Sequence, residues 1–203
     1  MVARTTAVLA IALCSTTAAL VAAQQRFTKQ DADRFQSKLV RIVELGNNPR
    51  TRAAGSPVTT PLTDTEVNAF LRHHARNQIP VGIVEPTLNA LGDGRVGGAA
   101  VVDLDAVRTQ KQRGWMDPLG YLSGKLPLTA KGRLMTQDGV GRFELESAEI
   151  SGITVPKSVL QELLAYYSRS PEKPSGINMD DPFELPSRIK EIRVGKGEAV
   201  VVQ

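Results

Sequence analysis

Residues 122–150 read LSGKLPLTAKGRLMTQDGVGRFELESAEI, and the pattern of this stretch decides what fold the chain can adopt. The even positions from Leu122 to Leu134 are leucine, alanine or glycine. The odd positions between them are Ser123, Lys125, Pro127, Thr129, Lys131 and Arg133. Period-two alternation marks a strand with one dry face and one wet face. Asp138-Gly139 then suits a two-residue hairpin turn. With the turn there, Gln137 faces Val140, while Leu134 faces Phe143 and Gly132 faces Leu145 on the dry face. On the wet face Arg133 meets Glu144 and Lys131 meets Glu146. Apolar groups meet each other and opposite charges meet, as a correct register requires. Past Ser147 the apolar parity flips to Ala148 and Ile150, which predicts a one-residue bulge near Ser147.

A first strand of about 15 residues would span roughly 50 Å at ~3.3 Å per residue, where about 5–6 residues is usual. So long a ribbon, twisted and greasy on one side, is expected to curl around a helix, a second sheet or a ligand.

Working outward, a second hairpin precedes this one. Gly92-Asp93-Gly94 fits a three-residue loop with Gly94 left-handed. Val84 then faces Val102, Leu88 faces Gly98 and Ala90 faces Val96. Pro86 marks its strand as an edge or a bulge, and Gly97-Gly98 suggests close approach by another backbone. Asp103 and Asp105 fall on the outer face, where solvated carboxylates outweigh a metal pair. Between the hairpins, Gln110 to Leu119 is a crossover carrying Trp115, expected to pack on the end of the sheet, with a groove cap or a lipid interface as alternatives.

Helices flank the sheet region. Thr28 caps a first helix with Asp31 in its opening turn; Phe35, Leu39, Ile42 and Val43 form its stripe and Gly46 ends it. Residues 47–61 read as a loop, with Arg50 and Arg52 available to an anionic headgroup. Thr63-Asp64-Thr65-Glu66 is a capping box, and Leu62 with Val67 suits a hydrophobic staple. His73-His74 are adjacent, point about 100° apart on a helix and do not make a chelating pair; they read as surface residues. After the long hairpin, Pro156 opens a third helix with Val159, Leu160, Leu163, Leu164 and Tyr167 in its stripe, the natural filling for a curled sheet. Ser168 to Pro182 is an exposed loop. Ile189, Ile192 and Val194, the Gly195-Lys196-Gly197 turn and Ala199 to Val202 make a closing hairpin.

The 203 residues divide into an export signal over 1–23 and one domain over 24–203. Arg4 precedes an apolar run from Ala7 to Leu20, and Val21-Ala22-Ala23 fits a cleavage site. An uncleaved anchor and a lipidated Cys14 are the alternatives; Leu13 before the cysteine opposes the second. Cys14 is the sole cysteine, so a cleaved chain has no disulfide, thiol catalysis or cysteine–metal site. Without Arg4 the balance is 24 basic to 21 acidic side chains, a net of +3. That slight excess permits weak attraction to anionic membranes and argues against nucleic acid as a partner.

The exported start, the helix opening at Leu62-Thr63-x-x-Glu66-x-Asn68, the one-faced hairpins, the Val155–Tyr167 helix and the ending from Leu185-Pro186 to Val200-Val201 together resemble bacterial periplasmic proteins of the tubular lipid-binding (TULIP-like) class. The resemblance covers roughly Leu62 to Val202. It implies an α+β fold in which a long, strongly curled antiparallel β-sheet wraps around the C-terminal helix, with two helices N-terminal to it. It also implies an elongated groove for lipid acyl chains or another long apolar small molecule. Residues placed to line such a groove are Val102, Leu104, Leu126, Leu128 and Leu134. Phe143, Leu145, Val159 and Leu163 complete the set. This chain departs from the class in its 4% aromatic content and its many glycines and alanines on the dry face, which narrow the space inside.

The expectation is a periplasmic or secreted non-enzymatic binder without catalytic residues, metal or cofactor. The sequence has no His-x-x-x-His, no Gly-x-Ser-x-Gly and no phosphate loop, and Glu144 and Glu146 are matched to basic partners. The alternative is an envelope scaffold with a filled core, meeting a protein partner by a sheet edge or the Ser168–Pro182 loop.

Overall fold

Two long hairpins laid side by side make the frame. The computed structural model describes residues 27–48, 57–110, 123–171 and 173–203, without the side chains of 108–110 and Tyr167. Residues 1–23, read above as an export signal, and Arg50, Arg52, Trp115 and Leu122 lie outside the described residues. The first hairpin is β2 (Ile83–Gly92) and β3 (Arg95–Asp103); the second is β4 (Lys125–Gln137) and β5 (Val140–Ile150). With β6 (Ile153–Thr154) they form an antiparallel sheet ordered β2-β3-β4-β5-β6, and β7 (Phe183–Glu184) adds to β5. A second sheet is ordered β1-β9-β8, from β1 (Thr59–Thr63), β8 (Glu191–Val194) and β9 (Glu198–Val202). The helices are α1 (Lys29–Asn47), α2 (Asp64–His73), α3 (Leu104–Gln110) and α4 (Lys157–Tyr167).

The register follows the side-chain pattern closely. Leu134 pairs with Phe143, Gly132 with Leu145 and Arg133 with Glu144. The bulge falls at Glu146, because Lys131 pairs with Ser147 while Gly132 pairs with Leu145. That shift gives Glu146 to Arg133, 3.9 Å away, instead of to Lys131. Asp138-Gly139 turns with φ of 51° and 84°, and Asp93-Gly94 with 53° and 76°, the double left-handed geometry of a two-residue hairpin turn. The first loop is therefore one residue shorter than expected, since Gly92 pairs with Arg95. Leu88–Gly98 and Ala90–Val96 pair as expected, whereas Val102 meets Ile83 and not Val84. The slip comes from a bulge at Glu85-Pro86, on an edge strand where a proline is tolerated.

The buried core lies at the turn end of these hairpins. Ile42 of α1, Leu185, Ile189 and Val201 pack together, with Leu62 and Ile192 against them. The hairpin turns are tied to this end by backbone bonds. Gly94 N–H donates to the Val194 carbonyl (3.2 Å), and Gly139 N–H donates to that of Lys190 (3.0 Å). The Thr136 hydroxyl accepts from Ile192 N–H and donates to its carbonyl. Gly46 does not end α1, which runs on to Asn47; it is buried where the helix touches the backbone of Ser187. Of the expected α1 stripe, Phe35 and Ile42 are buried, while Val43 is 47% exposed.

Several expectations are corrected here. Thr59–Thr63 is a strand and not loop, with Pro61 accommodated on the edge of the small sheet. Leu104 and Asp105 leave the sheet and begin α3, because Asp103 Oδ1 accepts from Ala106 N–H and caps the turn. His74 is not simply a surface residue: its Nε2 lies 2.7 Å from Asp33 Oδ1, joining α2 to α1. Most consequential, the sheet is not strongly curled and does not wrap around the C-terminal helix. No described side chain of α4 is buried, and Val159 is 44% exposed. The loop after α4 folds back on it instead: Gln161 bonds the backbone of Ile177 and Met179, and Lys157 pairs with Asp180. The physical reason is the thinness of the dry face. Gly98, Ala100, Ala130, Gly132 and Ala148 expose too little apolar surface to force closure.

A capping box opens α1 (Thr28 with Asp31), and the expected one opens α2 (Thr63 with Glu66). In the second, Thr63 N–H donates to Glu66 and Lys38 Nζ reaches the same carboxylate at 2.7 Å. Burial pushes the Glu66 carboxyl up, but hydrogen bonds from Lys38 and Thr63 outweigh it and hold the group below its ordinary value. A carboxyl depressed in the folded state stabilises fully above its unfolded value of about 4.3 and loses that contribution as the pH falls through the folded value. Glu66→Gln is therefore expected to cost about 1 kcal/mol at neutral pH. It should also make the acid decline in stability shallower below about pH 5. Urea titrations of both proteins across that range check this; parallel acid limbs would refute it.

Candidate functional site

Alternation and register together place one apolar surface across three strands, β3, β4 and β5. Val102 pairs with Leu126, Leu128 with Ile150 and Leu134 with Phe143, so these side chains share a face with Leu145. Paired residues in a sheet project to the same side. Six of the nine expected lining residues are thereby brought together: Val102, Leu126, Leu128, Leu134, Phe143 and Leu145. All six are half-buried. Among the described hydrophobic residues of this face only Ala148 is fully buried. The Phe143 ring lies across Gly132, where an added Cβ would come within 2.4 Å of it. The remaining three lie elsewhere: Leu104 is 2% exposed at the start of α3, and Val159 and Leu163 belong to α4. The opposite face carries Lys125, Lys131, Arg133, Glu144 and Glu149, all exposed.

The first edge of this sheet is not left bare. Asn68 of α2 is 3% exposed, and its side chain bonds both backbone groups of Leu88. Its Nδ2 donates to the Leu88 carbonyl (2.7 Å) and its Oδ1 accepts from Leu88 N–H (2.8 Å). One turn earlier Asp64 Oδ1 accepts from Ala90 N–H (2.9 Å). Two short polar side chains four apart on a helix lie on one face, here laid along β2 as a substitute strand. The Asp64-x-x-x-Asn68 spacing was the available signal for this clamp.

Beyond the clamp, where α2 ends and β2 begins, the surface opens into a cavity of about 630 Å³. Leu71, Arg72 and Arg76 form one wall, and the turn from Ile79 to Gly82 with the start of β2 forms the other. Sequence reasoning missed it. Its signal was the apolar run Ile79-Pro80-Val81-Gly82-Ile83-Val84, broken by a proline and a glycine. None of the nine expected lining residues borders this cavity. A shallower groove of about 350 Å³ lies between α1 and α2, bordered by Leu39, Val43, Phe70 and His74.

Among the described residues no group of three or more His, Cys, Asp and Glu side chains converges as a metal site, and no helix is long and apolar enough to cross a membrane.

No family model matches the chain, and no curated protein matches it. Among solved structures, the crystal structure of lipopolysaccharide binding protein is similar at 14% identity and a TM-score of 0.22, over 72% of this chain and 40% of that one. This chain thus spans less than half of that protein, and at such a score neither fold nor ligand is carried over.

Proposed function

We propose that the protein is a non-enzymatic binder of lipid or another long apolar ligand, exported to the periplasm or secreted. The ligand lies on the dry face of the β2–β5 sheet, and the wet face allows weak contact with a membrane surface. The observation that carries this reading is the half-covered state of that face. Leu126, Leu128, Leu134, Phe143 and Leu145 share one side, and none is fully buried. Apolar area left in water costs about 25 cal/mol per Å², which an acyl chain laid along the strands would recover. The departure from a wrapped sheet moves the site from an enclosed groove to an open face.

The test combines organic extraction of the purified protein, with mass spectrometry, and titration with a fluorescent long-chain fatty acid. Co-purified lipid is expected. Leu128→Glu on the dry face should weaken binding at least about tenfold, equivalent to 1.4 kcal/mol, while Lys131→Glu on the wet face should change it little. A protein free of lipid, with both variants binding alike, would turn the reading toward the scaffold alternative.

A further inference from the structure

We infer that the cavity between α2 and β2 is a separate binding site for a single-chain oxyanion, with its acid group on Arg72 and Arg76 and its hydrocarbon chain on the apolar walls. This goes beyond the sheet-face reading and stands without it, because the two sites share none of the residues that carry them.

Size, wall chemistry and unused charge carry the inference. A volume of about 630 Å³ falls among small-molecule sites, which run from about 300 to 1,000 Å³ and are mostly apolar with a few polar groups. Here Phe27, Leu71, Ile79, Ile83 and Val84 supply the apolar wall, and Arg72 and Arg76 supply the polar groups. Arg76 Nε donates to the Arg72 carbonyl at 2.9 Å, which anchors its side chain to the end of α2. Neither guanidinium has a carboxylate partner among the described residues. The guanidinium fork matches a carboxylate or phosphate in two-point geometry. This is the C-terminal end of α2, where the helix dipole is unfavourable to an anion, so among the described lining residues the attraction comes from the two arginines. Among the described lining residues Glu85 is the one carboxylate, and it works against an anion.

The wall is also held in a costly conformation. Glu85 has φ of 49° immediately before Pro86, where the ladder to β3 is broken. A non-glycine residue in that region costs on the order of 1–3 kcal/mol, and such strain gathers at functional sites. Gly82 turns at φ 90°, and an added Cβ would stand 2.2 Å from Val107. The cavity floor is therefore shaped by a turn that α3 holds from behind.

Calorimetry with laurate, dodecanol and inorganic phosphate on the full chain separates the contributions. In the Leu128→Glu protein, whose sheet face is disabled, laurate is expected to bind with one equivalent, dodecanol at least about tenfold more weakly, and phosphate without measurable heat. The double variant Arg72→Glu/Arg76→Glu, at two exposed positions, should bring laurate down to the level of dodecanol, and Glu85→Gln should tighten laurate severalfold. Leu128→Glu should leave this equivalent of laurate in place, so failure of the sheet-face reading does not remove it. Equal binding of laurate and dodecanol, or laurate binding unchanged by charge reversal, would overturn the inference. Phosphate binding as tightly as laurate would overturn the role given to the apolar wall.

Discussion

Gly46→Ala is expected to lower the free energy of unfolding by about 2–3 kcal/mol, although α-helical propensity alone favours alanine by about 1 kcal/mol. The two effects oppose each other, and distance decides between them. A Cβ on Gly46 would stand 2.4 Å from the Ser187 carbonyl oxygen and 2.7 Å from the Ser187 Cα and carbonyl carbon. Those are backbone atoms, so no rotamer change relieves the overlap. The segment is also pinned: Gln203 Nε2 donates to the Ile42 carbonyl (2.9 Å) and to the Ser187 carbonyl (2.7 Å). Pushing α1 away would separate Ile42 from Leu185 and Ile189, the centre of the core. Urea unfolding followed by far-ultraviolet circular dichroism measures the outcome. A stabilised Gly46→Ala protein would mean that α1 does not sit on the Ser187 segment as described.

Asn68→Leu is expected to cost about 2–3 kcal/mol, close to the sum of two lost hydrogen bonds and the penalty for groups left dry. Leucine keeps nearly the same shape and blocks water from reaching the Leu88 N–H and carbonyl that Asn68 now satisfies. Asn68 is 3% exposed, so the loss is not made good by solvent. The change should also free β2 locally. Amide exchange at Leu88 should rise by the same factor as the stability falls, while Leu134, deep in the second hairpin, should exchange no faster than global unfolding allows. Unchanged protection at Leu88 would show that the clamp is not what holds this edge.

The second of these residues shows where sequence reading stops. The spacing of Asp64 and Asn68 marks one polar face of a helix but not the strand twenty residues later that it holds, and the role exists only once α2 lies along β2. Gly46 makes the same point from the other side. A glycine near a helix end reads as a terminator, and nothing in its neighbours in sequence announces Ser187. Arg72 and Arg76 read as the polar face of a helix, and only the folding back of Ile79–Val84 gives them an apolar wall. Asp103 does end β3, but Asp105 belongs to α3 and not to the same outer face, and an aspartate with a helix-compatible run after it is the cap signal that marks the change.

By itself the sequence determined whatever depends on neighbours along the chain or across a tight turn. It set the Thr28 cap, the Thr63–Glu66 capping box, the alternation of β4, the Leu134–Phe143 register, the bulge beside Ser147 and the closing hairpin, because local sterics, period-two side chains and charge pairing act over a few residues. The tertiary structure alone decided which surfaces those elements cover: the sheet stays open, α4 is covered by its own following loop, and the core gathers at the hairpin turns. That choice is a competition between weak, non-directional apolar contacts distant in sequence, and the glycines and alanines of the dry face left it too little surface to wrap a helix.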